Sequence, residues 1–205
     1  MKGIKNLLFD FGGVIVGIDK NAAVKRFKEI GASNIQDYLN EFRQTGIFLE
    51  LEEGKISLDE FHNKFRSTFG QHISDEDIDS GWMAFLTYIP EYKLELLDEL
   101  RKTYKVYLLS NTNPVIAEWA HSKEFSPSGR PIESYFDKCY LSFEIGCAKP
   151  EAGIYEFVIK DSGIDPSETL FFDDGQSNLD AAAKLGFKTC LVNQEQDLRQ
   201  IFEEK

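Results

Sequence analysis

Residues 4–14 read Ile4-Lys5-Asn6-Leu7-Leu8-Phe9-Asp10-Phe11-Gly12-Gly13-Val14, an apolar run that ends in a carboxylate and two glycines. Two later runs end in a comparable way. Residues 106–109 lead into Ser110-Asn111, and residues 169–172 lead into Asp173-Asp174-Gly175. Strands of a parallel sheet are buried on both faces and read as continuous apolar runs. Open α/β sheets bind ligands outside the carboxyl ends of their strands. Three such ends therefore bring Asp10, Ser110, Asp173 and Asp174 towards one point. Acids gathered in this way repel one another unless something positive sits among them. A hard divalent cation with oxygen ligands meets that need, and Mg2+ is the usual one when a substrate carries phosphate.

The chain beyond residue 87 alternates strand and helix signals. Strands are expected at 106–110, 139–142, 169–173 and 189–192. Helices are expected at 114–121, 151–161, 178–185 and 195–204, with Gly163 and Gly186 as stops. This βαβα order argues a parallel, Rossmann-like sheet with helices on both faces. Residues 17–87 differ. They carry helical periodicity and little strand character, with a helix over 21–30 and a Gly31 stop. A capping box at Ser57-Leu58-Asp59-Glu60 opens a helix bearing Phe61, Phe65 and Phe69 on one stripe. Ser74 caps another with Ile78, Trp82, Phe85 and Leu86. About 70 residues of helix are too long for a loop. The expected organisation is an α/β core of residues 1–16 and 88–205, interrupted by an all-helical cap over 17–87. Residues 46–56 and Trp82 are candidates to line a pocket beneath it.

Each strand end offers a distinct chemistry. Asp10 is placed to attack phosphorus, and Gly12 and Gly13 let backbone N–H groups approach a phosphate closely. Ser110 and Asn111 offer donors for phosphate oxygens, whereas Asn113 before Pro114 reads as a helix cap. Lys149, fixed by Pro150 before the next helix, can neutralise both Asp10 and a phosphate. The Asp173-Asp174 pair favours a metal, because neighbouring acids at a strand end are costly without a partner. Asn178 either orients that pair or caps the helix after it.

Composition narrows the rest. The chain has 205 residues, 42% of them hydrophobic, which suits one compact domain with a modest insertion. A net charge of -12 argues against nucleic acid or an anionic membrane as partner. No apolar stretch is long enough to span a bilayer, and the first residues lack a signal-peptide pattern. Cys139, Cys147 and Cys190 form no CxxC pair and read as reduced thiols of a cytoplasmic protein. The expected partner is a small phosphorylated metabolite; the pattern leaves the oligomeric state open.

Taken in order, "FDFGGV", "LLSNTN", "AKPE" and "FFDDGQSN" resemble the four motifs of the haloacid dehalogenase superfamily. The chain is similar to its alpha-glucose-1-phosphate phosphatase-like branch and to the phosphatase domain of soluble epoxide hydrolases. That resemblance implies a Mg2+-dependent phosphatase acting on a small metabolite such as a sugar phosphate through an aspartyl-phosphate. It implies Asp10 as nucleophile and metal ligands from Asp10, the Gly12 carbonyl and Asp174, with Asp173 as a further or outer ligand. It also implies a phosphate held by Ser110, Asn111, Lys149 and the Gly12-Gly13 turn.

One departure from the pattern bears on mechanism. Most phosphatases of the family carry a second Asp two residues after the nucleophile, as general acid and base. Here that position is Gly12. General acid–base help is worth about 10²–10⁴-fold, so either the rate depends steeply on the leaving group or a donor comes from elsewhere. Asp19 is the nearest acid in sequence outside the motif, although an N-cap role suits it better. Four alternatives stand beside this reading: a true dehalogenase, whose chemistry needs no metal and would leave Asp173-Asp174 unexplained, an inorganic pyrophosphatase, a catalytically weakened phosphoryl-ligand-binding relative, and a receiver-like signalling module. Receivers place their acid pair first and have no cap.

Overall fold

The computed structural model describes residues 1–40 and 43–203. Five parallel strands form one sheet in the order β3-β2-β1-β4-β5. They are β1 (Asn6–Phe9), β2 (Lys105–Ser110), β3 (Lys138–Leu141), β4 (Thr169–Asp173) and β5 (Lys188–Leu191). The first strand in sequence is central, so its carboxyl end has neighbours on both sides. Register places Phe9 beside Leu108 and Phe172. The Asp10 N–H continues the ladder by donating to the Phe172 carbonyl at 2.8 Å. The acids of β1 and β4 therefore emerge at the same level.

Alternation along β1 divides the core. Leu7 and Phe9 face one apolar cluster and Leu8 faces the other, as a strand buried on both sides requires. The helices that cover the faces include α5 (Glu91–Leu100), α6 (Pro114–Ala120), α7 (Ser142–Ile145), α8 (Ala152–Ser162) and α9 (Gln176–Lys184). Among these, α5 lies in a stretch to which the sequence reading gave no element. Asn113 caps α6 by accepting from Val115 and Ile116 N–H groups.

Three expectations need correction. Phe85 and Leu86, expected on the helix that Ser74 caps, lie beyond its end at Met83, where Leu86 bridges to Ile18. The helix expected over 195–204 is confined to α10 (Arg199–Glu203); residue 204 lies outside the described residues. Before it, the Asn193 and Asp197 side chains accept the N–H groups of Glu195 and Arg199 at 3.1 and 3.0 Å. Such local bonds offer the backbone an alternative to helix. The helix expected from residue 178 begins two residues earlier, at Gln176, so Asn178 lies inside α9 and caps nothing.

Among the described residues, four α-helices and a short 3-10 helix (Ile35–Asp37) stand between β1 and α5; the α-helices are α1 (Lys20–Glu29), α2 (Gly46–Glu52), α3 (Leu58–Phe69) and α4 (Asp75–Met83). The capping box at Ser57 and Glu60 forms, and Ser74 caps α4. Their contact surface is aromatic. Phe48 packs edge-on against Phe27 and Phe61, with ring centroids 5.5 and 5.1 Å apart, and tilts against Trp82. Gly81 lets α4 approach α1 closely, because a β-carbon there would stand 2.3 Å from the Phe27 ring. The chain enters and leaves this unit side by side. Gly17 N–H donates to the Tyr88 carbonyl at 3.0 Å, Thr87 N–H to the Gly17 carbonyl at 2.9 Å, and Asp19 N–H to the Phe85 carbonyl at 2.8 Å. This two-stranded neck holds the four helices over the carboxyl end of β1.

Candidate active site

The turn after β1 is held by backbone bonds, and the Ile18 and Asp174 side chains leave no room for a larger residue at Gly12 or Gly13. Val16 N–H donates to the Phe11 carbonyl at 3.0 Å, and Gly13 N–H donates to the Val16 carbonyl at 2.9 Å. Gly13 has φ +71, where a side chain is strained. From α5, the buried Lys93 ammonium donates to the Val14 carbonyl at 2.5 Å and anchors the turn to the core. Asp10 is thereby presented at a fixed point, with Phe11 N–H donating to its Oδ1 at 2.6 Å.

Lys149 lies between α7 and α8, and its ammonium is 2.7 Å from both Asp10 Oδ1 and Asp173 Oδ2. It is almost fully buried, at 1% exposure. Its backbone is clamped by Asn111, whose side-chain amide donates to the Lys149 carbonyl at 2.9 Å and accepts from the Lys149 N–H at 2.7 Å. In this arrangement the Asn111 amide positions the lysine. The Ser110 hydroxyl is buried and donates to the Asn111 carbonyl at 3.3 Å. Asp173 takes Gly175 N–H and the Asn178 amide on Oδ1, at 2.8 and 2.9 Å. With the Lys149 ammonium on Oδ2, both of its oxygens are engaged.

The balance of charge is negative. Carboxylate oxygens of Asp10, Asp173 and Asp174 lie within 4.8 Å of one another, and Lys149 contacts the first two. Burial pushes the Asp10 carboxyl well above its ordinary range; Lys149 opposes this, and Asp173 and Asp174 add to it. Burial alone would push the Lys149 ammonium down, but the Asp10 and Asp173 carboxylates outweigh it and its net direction is up. A cation among these acids would reverse the pressure on Asp10. The donors are hard oxygens, the chemistry that suits Mg2+ or Ca2+. Asp10 and Asp174 are the better placed of the three to ligate, since Asp173 already holds three donors.

A cavity of about 130 Å3 opens beside these groups. The core contributes Asp10, Gly12, Asn111, Lys149 and Asp174, and the four-helix unit contributes Glu52, Trp82 and Lys20. Two buried polar atoms on the cavity residues have no partner among the described residues, Glu52 Oε2 and Trp82 Nε1. Burial, with the neighbouring Glu53 carboxylate, pushes the Glu52 carboxyl up to about 8, against the pull of Arg43 and Lys149. Gln194 clips the neck from below, accepting from Ile18 N–H at 2.8 Å and donating to its carbonyl at 3.3 Å.

The structure thus brings together Asp10, Gly12, Asn111, Lys149, Asp173 and Asp174. Gly13 lies beneath Asp174, and Ser110 is packed behind the cavity wall. Asp19 stands apart: it is exposed, caps α1 by accepting from Ala22 N–H at 3.0 Å, and does not line the cavity. Glu52 lies in the 46–56 stretch that the sequence singled out; its neighbour Glu53 is equally buried, and what sets Glu52 apart is that it lines the cavity whereas Glu53 pairs with Arg43 and Lys55. Lys93 and Gln194 carried no signal, since each acts on backbone far away in sequence. The three cysteines are unpaired and half-buried.

The match to known proteins spans the whole of this framework. The family model of haloacid dehalogenase-like hydrolases covers residues 4–186. A D-ribitol-5-phosphate phosphatase from Bacteroides thetaiotaomicron is 47% identical over 197 residues, 96% of each chain. The crystal structure of a family enzyme from the same organism, an aspartate-to-alanine variant in complex with magnesium and inorganic phosphate, superposes with a TM-score of 0.93. It is 42% identical, over 98% of this chain and 100% of that one. A HAD-like hydrolase from Porphyromonas gingivalis gives a TM-score of 0.93 at 36% identity, over 98% of this chain and 99% of that one. With its motifs assembled at one end of the sheet and relatives alike along its full length, the chain belongs to the haloacid dehalogenase-like hydrolases.

Proposed function

We propose that this hydrolase is a Mg2+-dependent phosphatase of a small phosphorylated polyol or sugar. The observation that carries the reading is the meeting of Asp10, Lys149 and the Asp173-Asp174 pair at one end of the sheet. A bare lysine–carboxylate pair would serve a metal-free displacement, but a surplus of carboxylates calls for a cation. Support comes from the relative named for D-ribitol 5-phosphate and from the related structure that holds magnesium and phosphate. The cavity wall adds to it. Ile18, Trp82, Phe85 and Ile116 line a partly apolar space that suits an organic leaving group better than pyrophosphate.

In this mechanism Asp10 attacks phosphorus and forms an aspartyl-phosphate, which water then hydrolyses. Lys149 holds Asp10 in place and neutralises charge on the transferred phosphoryl group. Asp10, the Gly12 carbonyl and Asp174 would hold Mg2+, with Asp173 fixing Lys149 and the first turn of α9 from outside. When bound, Mg2+ supplies charge neutralisation to the phosphoryl oxygens. Residues 17–87 act as a cap that closes the cavity and selects the leaving group, and the unpaired thiols suit a reducing compartment such as the cytoplasm.

The test is a panel of pentitol, pentose and hexose phosphates with pyrophosphate and 2-haloacids, each with Mg2+ and with EDTA. Mg2+-dependent release of phosphate, strongest on polyol or sugar phosphates, is expected. Metal-independent halide release, or pyrophosphate as the best substrate, would overturn the reading.

A further inference from the structure

The position two residues beyond Asp10 is Gly12, so the strand that carries the nucleophile carries no proton donor. A primary alkoxide cannot leave at neutral pH without a proton. A phosphatase of polyol or sugar phosphates must therefore draw that proton from another group facing the cavity. The acids lining the cavity are Asp10, Asp174 and Glu52. Asp10 is the nucleophile and Asp174 belongs to the acid cluster. Asp19 points its carboxylate at the α1 N-terminus.

We infer that Glu52, delivered from the last turn of α2, is the general acid and then the general base of the reaction. This rests on the phosphatase reading above and deepens it. Glu52 is 5% exposed, lines the same cavity as Asp10 and Lys149, and has an oxygen with no partner among the described residues. A buried polar atom left unpaired is destabilising, so such an atom at a cavity wall marks a group kept for a ligand. Trp82 Nε1, also buried and unpartnered, marks the same wall from α4.

Glu52 is held there by its surroundings. Gly54 has φ +62, and a β-carbon on it would stand 2.1 Å from the Phe143 carbonyl, so the end of α2 is pressed against the core. Arg43 spans the two units, 3.2 Å from Glu53 and 2.6 Å from Glu151, and Lys55 pairs with Glu53 at 2.5 Å. The charged groups that act on Glu52 are thus Glu53, Arg43 and Lys149. Two of these are cations, yet burial and Glu53 prevail, and the carboxyl is neutral at pH 7. A protonated acid in the wall of the nucleophile's cavity is the form a proton donor needs.

The step balances without any further reactant. An Asp10 oxygen bonds to phosphorus as the bond from phosphorus to the leaving oxygen breaks, and its electron pair goes to that oxygen. The Glu52 proton passes to the same oxygen and gives the alcohol. The Glu52 carboxylate then takes a proton from the water that attacks the aspartyl-phosphate, releasing phosphate and restoring both carboxyls.

The experiment compares wild type, Glu52→Gln and Glu52→Asp with Mg2+ on p-nitrophenyl phosphate and D-ribitol 5-phosphate, by rapid mixing and at steady state. Glutamine keeps the shape and loses the proton. For Glu52→Gln, p-nitrophenyl phosphate should give a burst of about one phenolate per site followed by slow turnover, since that leaving group needs no acid. D-ribitol 5-phosphate should give no burst and a rate about 10²–10⁴-fold below wild type. Glu52→Asp should recover part of that loss. The wild-type rate on the polyol phosphate should fall above about pH 8, and Glu52→Gln should lose this limb. Glu52→Gln within threefold of wild type on both substrates, or equally slow in the first turnover of both, overturns the proposal alone. A wild type inert on every organic phosphate removes the phosphatase reading itself, and the proposal with it.

Discussion

Gly13 and Asp174 approach so closely that a β-carbon on Gly13 would stand 1.9 Å from Asp174 Oδ2. The turn after β1 and the acid pair after β4 are therefore fitted to each other through a missing side chain. Gly13→Ala must displace the Asp174 carboxylate or the turn, and φ +71 adds strain. The expected result is at least a tenfold higher Mg2+ requirement and a loss of kcat of about 10²-fold or more, the scale on which a 1 Å misplacement acts. A Mg2+ titration of activity reads both; an unchanged midpoint would show that Asp174 does not depend on this fit.

Asp10→Asn retains the size of the side chain and its acceptance of Phe11 N–H, and removes the attacking oxygen. Turnover should fall to background while the circular dichroism spectrum stays that of wild type. No phosphoenzyme should form when the variant is acid-quenched during reaction with a labelled substrate. Retention of a labelled aspartyl adduct elsewhere in the chain would move the nucleophile away from β1.

Lys149 pairs with both Asp10 and Asp173, and all three are buried. Removing one partner of a buried ion pair leaves uncompensated charge and costs about 3–5 kcal/mol. Lys149→Met should lose that much stability in metal-free buffer, read by urea unfolding followed through Trp82 and Trp119 fluorescence. Mg2+ should restore more stability to the variant than to wild type, because a ligand that binds only the folded state stabilises it by mass action. A loss under about 1 kcal/mol would show that the carboxylates take up protons in place of the lysine's charge.

The strands and their acids were legible because burial on two faces writes itself as short apolar runs, and the three runs stopped at the polar residues Asp10, Ser110 and Asp173. The helical insertion was legible through its caps, Ser57 with Glu60 and Ser74, and through the Phe61, Phe65, Phe69 stripe. The final helix was overextended, because the turn-forming bonds of Asn193 and Asp197 compete with helix without changing the amphipathic pattern. Asn111 read as a phosphate donor, while the fold turns its amide onto the Lys149 backbone. Glu52 was hidden among the acids of Glu50-Leu51-Glu52-Glu53. Its distinction is its place in the cavity wall, which depends on Gly54 meeting Phe143 more than 80 residues away in the chain.

That burial also leaves a signature in stability. The Glu52 carboxyl is raised from 4.5 to about 8 in the folded protein, first by burial and then by Glu53. The folded state therefore holds a proton that the unfolded chain gives up between these two values. The stability tied to this proton is present below about pH 4.5 and is lost as pH rises through about 8. Glu52→Gln carries no titrating group and escapes that loss. Wild type should consequently weaken relative to Glu52→Gln as pH rises, by up to about 1.4 kcal/mol for each pH unit within that window. Urea unfolding of both proteins at pH 5, 6.5, 8 and 9.5 reads the difference without any substrate. The gap should widen from pH 5 to pH 8 and level off beyond it. Parallel curves across this range would mean that Glu52 is ionised in the folded state and reaches solvent, a form unable to donate a proton at neutral pH.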